Sequence, residues 1–300
     1  MMTFDDMFNR YIVPLDPIPT GLKPSGSPRH PVKAVLFDVY GTLLISASGD
    51  LGGIRDTGDA PDAPDAEDAP DAGENAESRK SIASLLADFG LSLSSEYIIK
   101  TYVRTVGTAH ERLKNRGTDF PEVQIDHIWR RILGFEDITA ARKFALGFEL
   151  IINPVYPMPG LSDMLAWSSR CGLKKGIISN AQFYTPLMIA YFCGNRPEGM
   201  GFDPSLLIYS YQVGAAKPSP KLFGAAAETL ARRGIPPENV LFMGNDILND
   251  IFPARLQGFQ TALFAGDKRS LRLREGDPCC PGVKPDMVIT ALSQLPEFIA

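Results

Sequence analysis

The chain has 300 residues, of which 44% are hydrophobic, and a formal net charge of −5. This length is enough for a large core and an accessory domain. No apolar run approaches the roughly 20 residues that a membrane span needs, so a membrane protein is not expected. The first residues carry two acids and no apolar segment, and the four cysteines have the spacing of neither a disulfide framework nor a zinc site. We therefore expect a cytoplasmic protein.

Negative charge is concentrated in one segment of the chain. Residues 50–79 contain ten acids against two arginines, a net charge of −8, so the remaining residues sum to +3. This excess is too small to predict nucleic-acid binding, but it suits a small anionic substrate. The three histidines (His30, His110 and His127) form no cluster in the sequence, and a histidine-built metal site is therefore not expected.

The first third of the chain contains three different patterns. Residues 1–31 are rich in proline and predict an extended lead-in. A short apolar run, 32–37, predicts a buried parallel strand that ends at Asp38, and Gly41 then allows a sharp turn. Residues 46–80 form an acidic insertion with an Asp-Ala-Pro repeat and almost nothing to bury, so this insertion is predicted to be disordered or loosely held. The glycine and glutamate pattern of an EF-hand is missing from it, which disfavours calcium binding.

The rest of the chain separates into a helical part and an alternating part. Apolar residues recur at helical spacing over 81–156 and predict a cap of four helices. From residue 157 to 300 strands alternate with helices, which predicts a doubly wound parallel sheet built from 32–45 and 157–300 and interrupted by the helical insertion. The strands predicted in this second part cover 173–179, 206–211, 240–243, 261–264 and 287–289.

Polar side chains follow four of the predicted strands. Ligands of a doubly wound sheet bind at the carboxyl ends of its strands, so we expect these side chains to meet at one edge. Carboxylates, a lysine, and hydroxyl and amide donors together fit an anionic nucleophile beside a divalent cation and an oxyanion. In chain order they are Asp38, Tyr40 and Thr42, then Ser179 and Asn180, then Lys217, then Asp246 and Asp250.

The motifs FDVYGTL, SN, KPSP and GNDILND, in this order, resemble the four motifs of the haloacid dehalogenase-like hydrolase superfamily. The resemblance implies a Rossmann-like core with a helical cap inserted after the first strand. It also implies that Asp38 is a nucleophile that attacks phosphorus or carbon. Thr42, Ser179 and Asn180 would contact the substrate anion or shape its turn, and Lys217 would neutralise the charge of nucleophile and substrate.

The same resemblance implies a magnesium ion held by the side chains of Asp38, Asp246 and Asp250 and by the backbone carbonyl of Tyr40. Magnesium prefers octahedral oxygen coordination with one or two direct carboxylates, which this set could supply. Tyr40 departs from the family pattern, because the family's phosphatases carry a second aspartate there as general acid and base. Tyrosine at this position is similar to the family's 2-haloacid dehalogenases, which use no metal and whose halide leaving group needs no proton.

Other residues favour a phosphatase. The acids Asp246 and Asp250 are both present, Phe223 stands where the dehalogenases have a tyrosine, and their arginine and tryptophan signature at the start of the cap is missing. We therefore predict a magnesium-dependent phosphatase of a small phosphorylated metabolite. A metal-independent 2-haloacid dehalogenase and a catalytically weakened, partner-binding relative are the alternatives. Asp38 could also be a turn former, and Asp246 and Asp250 could cap the following helix. Neither a nucleic-acid nor a membrane partner is expected.

Overall fold

The computed structural model describes residues 2–48 and 76–299. Most of the predicted acidic insertion, 46–80, therefore lies outside the described residues. Its last residues are helical, because a helix begins at Ala76. No helix within the two described ranges is long and apolar enough to cross a membrane.

The strands and helices of the described residues follow each other in the order that the sequence predicts for an interrupted α/β core. The strands are β1 (Ser25–Gly26), β2 (Ala34–Phe37), β3 (Leu44–Ser46), β4 (Val155–Pro157), β5 (Lys174–Ser179), β6 (Phe202–Tyr209), β7 (Val240–Gly244), β8 (Gln260–Phe264) and β9 (Met287–Ile289). The helices are α1 (Phe4–Tyr11), α2 (Ala76–Asp88), α3 (Ser95–Lys114), α4 (Ile125–Leu133), α5 (Ile138–Ile152), α6 (Leu161–Arg170), α7 (Thr185–Cys193), α8 (Ser210–Val213), α9 (Pro220–Ala231), α10 (Phe252–Leu256) and α11 (Leu295–Ile299). A short π-helix covers Ile247–Ile251.

The central sheet has seven strands in the order β1-β9-β8-β7-β2-β5-β6. All neighbours run parallel except the edge strand β1, which is antiparallel to β9. Strand β2 lies between β5 and β7, and every one of its residues is buried, as its continuous apolar sequence requires for a strand covered on both faces. The predicted fold class is confirmed: a mostly parallel α/β sheet with a helical insertion.

The helical insertion leaves the core through two adjacent strands. Strands β3 and β4 pair antiparallel, so the chain enters and leaves helices α2–α5 at nearly the same place. An aromatic cluster fills the centre of these helices: the ring of Trp129 is stacked on that of Tyr102 at 4.8 Å and tilted against that of Phe148 at 4.6 Å. These three aromatic side chains are thus packed inside the helical layer.

The start of the lead-in differs from its prediction. Residues 1–31 were expected to be extended throughout, but α1 forms at their beginning. The reason is a capping box: Thr3 Oγ1 accepts a hydrogen bond from the amide of Asp6 (3.1 Å), and the Asp6 carboxylate accepts one from the amide of Thr3 (2.6 Å). The helix buries Met7, Phe8 and Tyr11 and packs against α5.

Candidate active site

The carboxyl ends of the central strands bring most of the predicted site residues into one open cleft. Asp38 follows β2 directly, and its amide donates to the carbonyl of Met243 in β7 (2.9 Å), so the nucleophile candidate continues the sheet. Thr42 and Ser179 do not line the cleft; they are fully buried beneath it. The lining residues are Asp38, Tyr40, Asn180, Lys217, Asn245, Asp246, Asn249, Asp250 and Arg272.

Lys217 joins two of the carboxylates. Its Nζ lies 2.6 Å from Oδ1 of Asp38 and 2.5 Å from Oδ1 of Asp250, and all three side chains are buried. The loop between α8 and α9, which carries Lys217 and is called the lysine loop below, is itself held in place, because the backbone amide of Lys217 donates to Oδ1 of Asn180 (2.6 Å). This bond occupies the amide oxygen of Asn180 and leaves its Nδ2 as the donor that can meet a substrate anion.

One ammonium group thus serves two buried carboxylates. Burial alone would lower the pKa of Lys217, but Asp250 and Asp38 outweigh it and raise that pKa above its usual value. Burial raises the pKa of Asp250 to about 7; Lys217 opposes this rise, while the charges of Asp38 and Asp246 add to it. The two shifts agree physically, because a single cation stays protonated between two acids but cannot neutralise both of them.

Asp246 is enclosed by donors of its own. Its Oδ1 accepts from the amides of Leu248 (2.8 Å) and Asn249 (3.2 Å), which makes Asp246 the N-cap of the π-helix. The guanidinium of Arg274 adds a two-pronged ion pair, with Nε 3.1 Å from Oδ1 and Nη2 2.7 Å from Oδ2. A fifth hydrogen bond comes from Nδ2 of Asn249 (2.9 Å). The helix-cap alternative for Asp246 is therefore what the geometry supports.

The hydrogen bonds that Asp246 accepts determine whether the predicted ligands fit magnesium. A carboxylate has roughly four lone-pair sites, and Asp246 already accepts five hydrogen bonds. Oδ2 of Asp250 accepts from the amide of Asp246 (3.0 Å), so five of the six oxygens of Asp38, Asp246 and Asp250 accept hydrogen bonds from described residues. The described residues also contain no group of three or more His, Cys, Asp or Glu side chains arranged to hold a metal. The donor set does not fit the ion.

Tyr40 forms part of the wall of the cleft. Its hydroxyl lies 2.8 Å from Oγ1 of Thr185 and donates to Sδ of Met188 (3.6 Å). Burial, together with the nearby charge of Glu149, raises the pKa of Tyr40 well above its usual value. The phenol is therefore neutral and poorly suited to give up a proton.

The arginines beside the cleft come from a segment that lies outside the four motifs. After β8 the chain runs Ser270-Leu271-Arg272-Leu273-Arg274, an alternation that places both leucines on one side and both arginines on the other. Leu271 and Leu273 pack on the apolar cluster beneath the π-helix. The amide of Arg272 donates to the carbonyl of Asn245 (3.0 Å), which ties the segment to the residue after β7. The alternation of leucine and arginine over residues 271–274 is the sequence feature from which these two arginines could have been identified.

Known proteins give an independent comparison. A model of the haloacid dehalogenase-like hydrolase family matches residues 32–258, whereas no curated protein matches the chain. A 2-haloacid dehalogenase from Pseudomonas syringae pv. Tomato is 19% identical (TM-score 0.52, 89% of this chain, 98% of that chain). A defluorinating L-2-haloacid dehalogenase is 18% identical (TM-score 0.50, 93% and 100%), and a predicted phosphoglycolate phosphatase from Haemophilus somnus is 18% identical (TM-score 0.48, 90% and 98%).

At these identities the two dehalogenase structures, with TM-scores of 0.52 and 0.50, show similarity of fold alone. The match to the family model covers well over half of the chain and includes all four motifs. The resemblance drawn from the motifs is confirmed: the chain belongs to the haloacid dehalogenase-like hydrolases.

Proposed function

We propose that the chain hydrolyses a small anionic substrate through a covalent ester on Asp38. The observation that carries this proposal is the position of Asp38 in the cleft, at the end of β2 and 2.6 Å from Nζ of Lys217. The ammonium lies against the carboxylate of Asp38 and adds a fixed positive charge for the substrate anion. Lys217, Nδ2 of Asn180 and Arg272 are the proposed anion contacts, while Thr42, which donates to Oδ1 of Asn245 (3.2 Å), supports the cleft from below.

The raised pKa of Tyr40 supports a reaction whose leaving group departs without a proton. A general acid works best when its pKa lies near the operating pH, and burial moves the pKa of Tyr40 far above that. Among the two chemistries that the sequence allows, the geometry therefore favours displacement at carbon. An oxygen of Asp38 bonds to C2 of a 2-haloacid while the carbon–halogen bond breaks and its electron pair leaves with the halide. Water then attacks the ester carbonyl of Asp38 and the bond between this carbonyl carbon and the substrate oxygen breaks. The departing alkoxide takes one proton of the water to give the 2-hydroxy acid, and the other proton passes to solvent as the Asp38 carboxylate forms again.

Hydrolysis of a phosphorylated metabolite, the function that the sequence ranks first, is the second candidate. It is supported by the two cationic side chains that line the cleft, Lys217 and Arg272, because two positive charges suit a phosphate dianion. The magnesium ion expected with it is not part of the proposal, since Asp246 lacks a free oxygen lone pair. The acid pair that favoured this chemistry has other partners: Asp250 pairs with Lys217 and Asp246 with Arg274.

The helices of residues 81–156 are proposed to be the cap that selects the substrate, on a core of 32–45 and 157–300. The loop before α4 supports this role because it docks beside the lysine loop. Pro121 forms a β-bridge with Ala215, and Glu122 accepts hydrogen bonds from Ser210 Oγ (2.7 Å) and from the Gln182 side chain (3.1 Å).

A cytoplasmic location is also proposed. All four cysteines are free thiols, which supports it.

Two release assays test the function. We expect halide release from one enantiomer of 2-chloropropionate, unaffected by chelator, and its loss in Asp38→Asn, because an amide is a far poorer nucleophile of nearly the same size. Asp163→Asn is the matched control, since Asp163 is an exposed acid on α6 outside the cleft. Phosphate release from p-nitrophenyl phosphate without halide release would favour the second candidate. Activity retained by Asp38→Asn would contradict both.

A further inference from the structure

The ion pair between Asp246 and Arg274 stands where the family resemblance places a magnesium ligand. Asp246 follows β7, and its side chain is nearly buried at the floor of the cleft. Both of its oxygens face the planar fork of the guanidinium, at 3.1 Å and 2.7 Å. A fork of this kind binds both carboxylate oxygens at once, which a water-bound cation attached to one oxygen does not do.

The charges around the cleft are balanced without a metal ion. With Asp250 ionised, Asp38, Asp246 and Asp250 contribute three negative charges, and Lys217, Arg272 and Arg274 contribute three positive charges; with Asp250 protonated, the positive charges are in excess. Lys217 contacts Asp38 and Asp250, and Arg274 contacts Asp246. A divalent cation added to this arrangement would have to displace a cationic side chain or leave excess positive charge in a buried site.

The backbone holds Arg274 firmly in this position. Its φ is +53°, in the left-handed region that residues with a Cβ seldom adopt unless the surrounding structure imposes it. The preceding Leu273 packs on the apolar cluster that also contains Ile247 and Ile251 of the π-helix. Arg274 and the π-helix that Asp246 caps are therefore anchored on the same cluster, so the guanidinium is fixed relative to the carboxylate.

We propose that Arg274 takes the place of the divalent cation at Asp246 and excludes it, so that this chain acts without a bound metal. The proposal rests on the cleft being the active site, but not on which substrate the site hydrolyses. It follows that the carboxylates of Asp38, Asp246 and Asp250 can bind a divalent cation once the guanidinium of Arg274 is removed.

Direct binding of Mn²⁺, a spectroscopic probe for hard oxygen ligands, tests the proposal in the full-length protein. Electron paramagnetic resonance titration should detect no site-specific Mn²⁺ binding to the unmodified protein at millimolar concentrations. Arg274→Gln should bind the ion at least about tenfold more tightly, a difference of about 1.4 kcal/mol. The double variant Arg274→Gln/Asp246→Asn should lose this gain. Arg255→Gln, which removes an arginine paired with Asp286 away from the cleft, should behave like the unmodified protein.

Tight Mn²⁺ binding by the unmodified protein would overturn the proposal, and so would an Arg274→Gln protein that folds but binds no better. If Arg274→Gln does not fold, Arg274→Met, which removes the guanidinium but keeps an unbranched apolar stem, takes its place, and the titration of the unmodified protein decides by itself. Because the readout is binding, failure of the halide assay leaves this result interpretable, and failure here leaves the role of Asp38 intact.

Discussion

Replacing Tyr40 by phenylalanine separates a proton-donating phenol from a phenol that only shapes the cleft. The change removes one hydroxyl, which lies 2.8 Å from Oγ1 of Thr185. Thr185 keeps another partner, since its Oγ1 also accepts from the amide of Gln182 (3.2 Å). The buried hydroxyl is thus not left alone, and we expect the free energy of unfolding to fall by about 1 kcal/mol, the usual net worth of one hydrogen bond.

The effect on catalysis is the informative part. If the leaving group departs without a proton, kcat/KM for halide release should stay within about threefold, because the ring still fills the wall of the cleft. Loss of a general acid would instead cost ~10²–10⁴-fold. Steady-state halide release gives the rate, and urea denaturation gives the stability. A rate loss of about a hundredfold in a protein that remains folded would refute the inference that Tyr40 donates no proton.

Tyr40→Asp extends the same test. The shorter side chain leaves a void where the ring was and places a further carboxylate near Asp38, so we expect both stability and activity to fall. A gain in phosphatase activity of about tenfold or more would instead show that a carboxylic acid at this position is all that a phosphatase mechanism lacks.

Three further outcomes are expected. Because burial raises the pKa of Asp250 to about 7, the folded protein keeps a proton that the unfolded chain loses near pH 4, and the unmodified protein loses stability as the pH rises from about 4 through 7. The melting temperature of Asp250→Asn, measured relative to that of the unmodified protein, should therefore rise between pH 5 and pH 8 by the equivalent of about 2–3 kcal/mol. A difference that does not depend on pH would contradict the raised pKa. Deleting residues 50–75 should change the melting temperature and the hydrolysis rate little, because their composition offers almost nothing to bury, and a fall of many degrees would show that they pack. Glu122→Gln gives up one of the two acceptors that bind Ser210 and Gln182, so KM should rise by about fivefold while kcat changes less; an equal fall in kcat would point to a different role for this loop.

Much of the site was predictable from the sequence, because a parallel sheet brings the ends of its strands together whatever the loops do. Asp38 and Lys217 meet for this reason, although they are 179 residues apart. Asp246 was placed correctly at its strand end, but its partner Arg274 could not be identified. The reach of Arg274 depends on how a loop folds back onto the π-helix, which is a matter of tertiary packing.

The helix α1 in the lead-in was predictable from a local sequence pattern. Thr3 and Asp6 have the spacing of a capping box, yet the many prolines of residues 1–31 dominated the prediction of an extended segment. The first proline is Pro14, three residues after α1 ends at Tyr11, so the helix and the prolines do not conflict. A cap pair read together with the apolar residues that follow it would have located this helix.

The most direct test of the account is where oxygen from water enters during a single turnover. Enzyme in excess over 2-chloropropionate, reacted in ¹⁸O-labelled water, should give unlabelled lactate and a labelled peptide containing Asp38, because water attacks the ester carbonyl of the aspartate after its oxygen has bonded to the substrate. Asp38→Asn should give neither product nor labelled peptide. Labelled lactate together with an unlabelled Asp38 peptide would mean that water attacks the substrate directly, and the covalent role of Asp38 would be wrong.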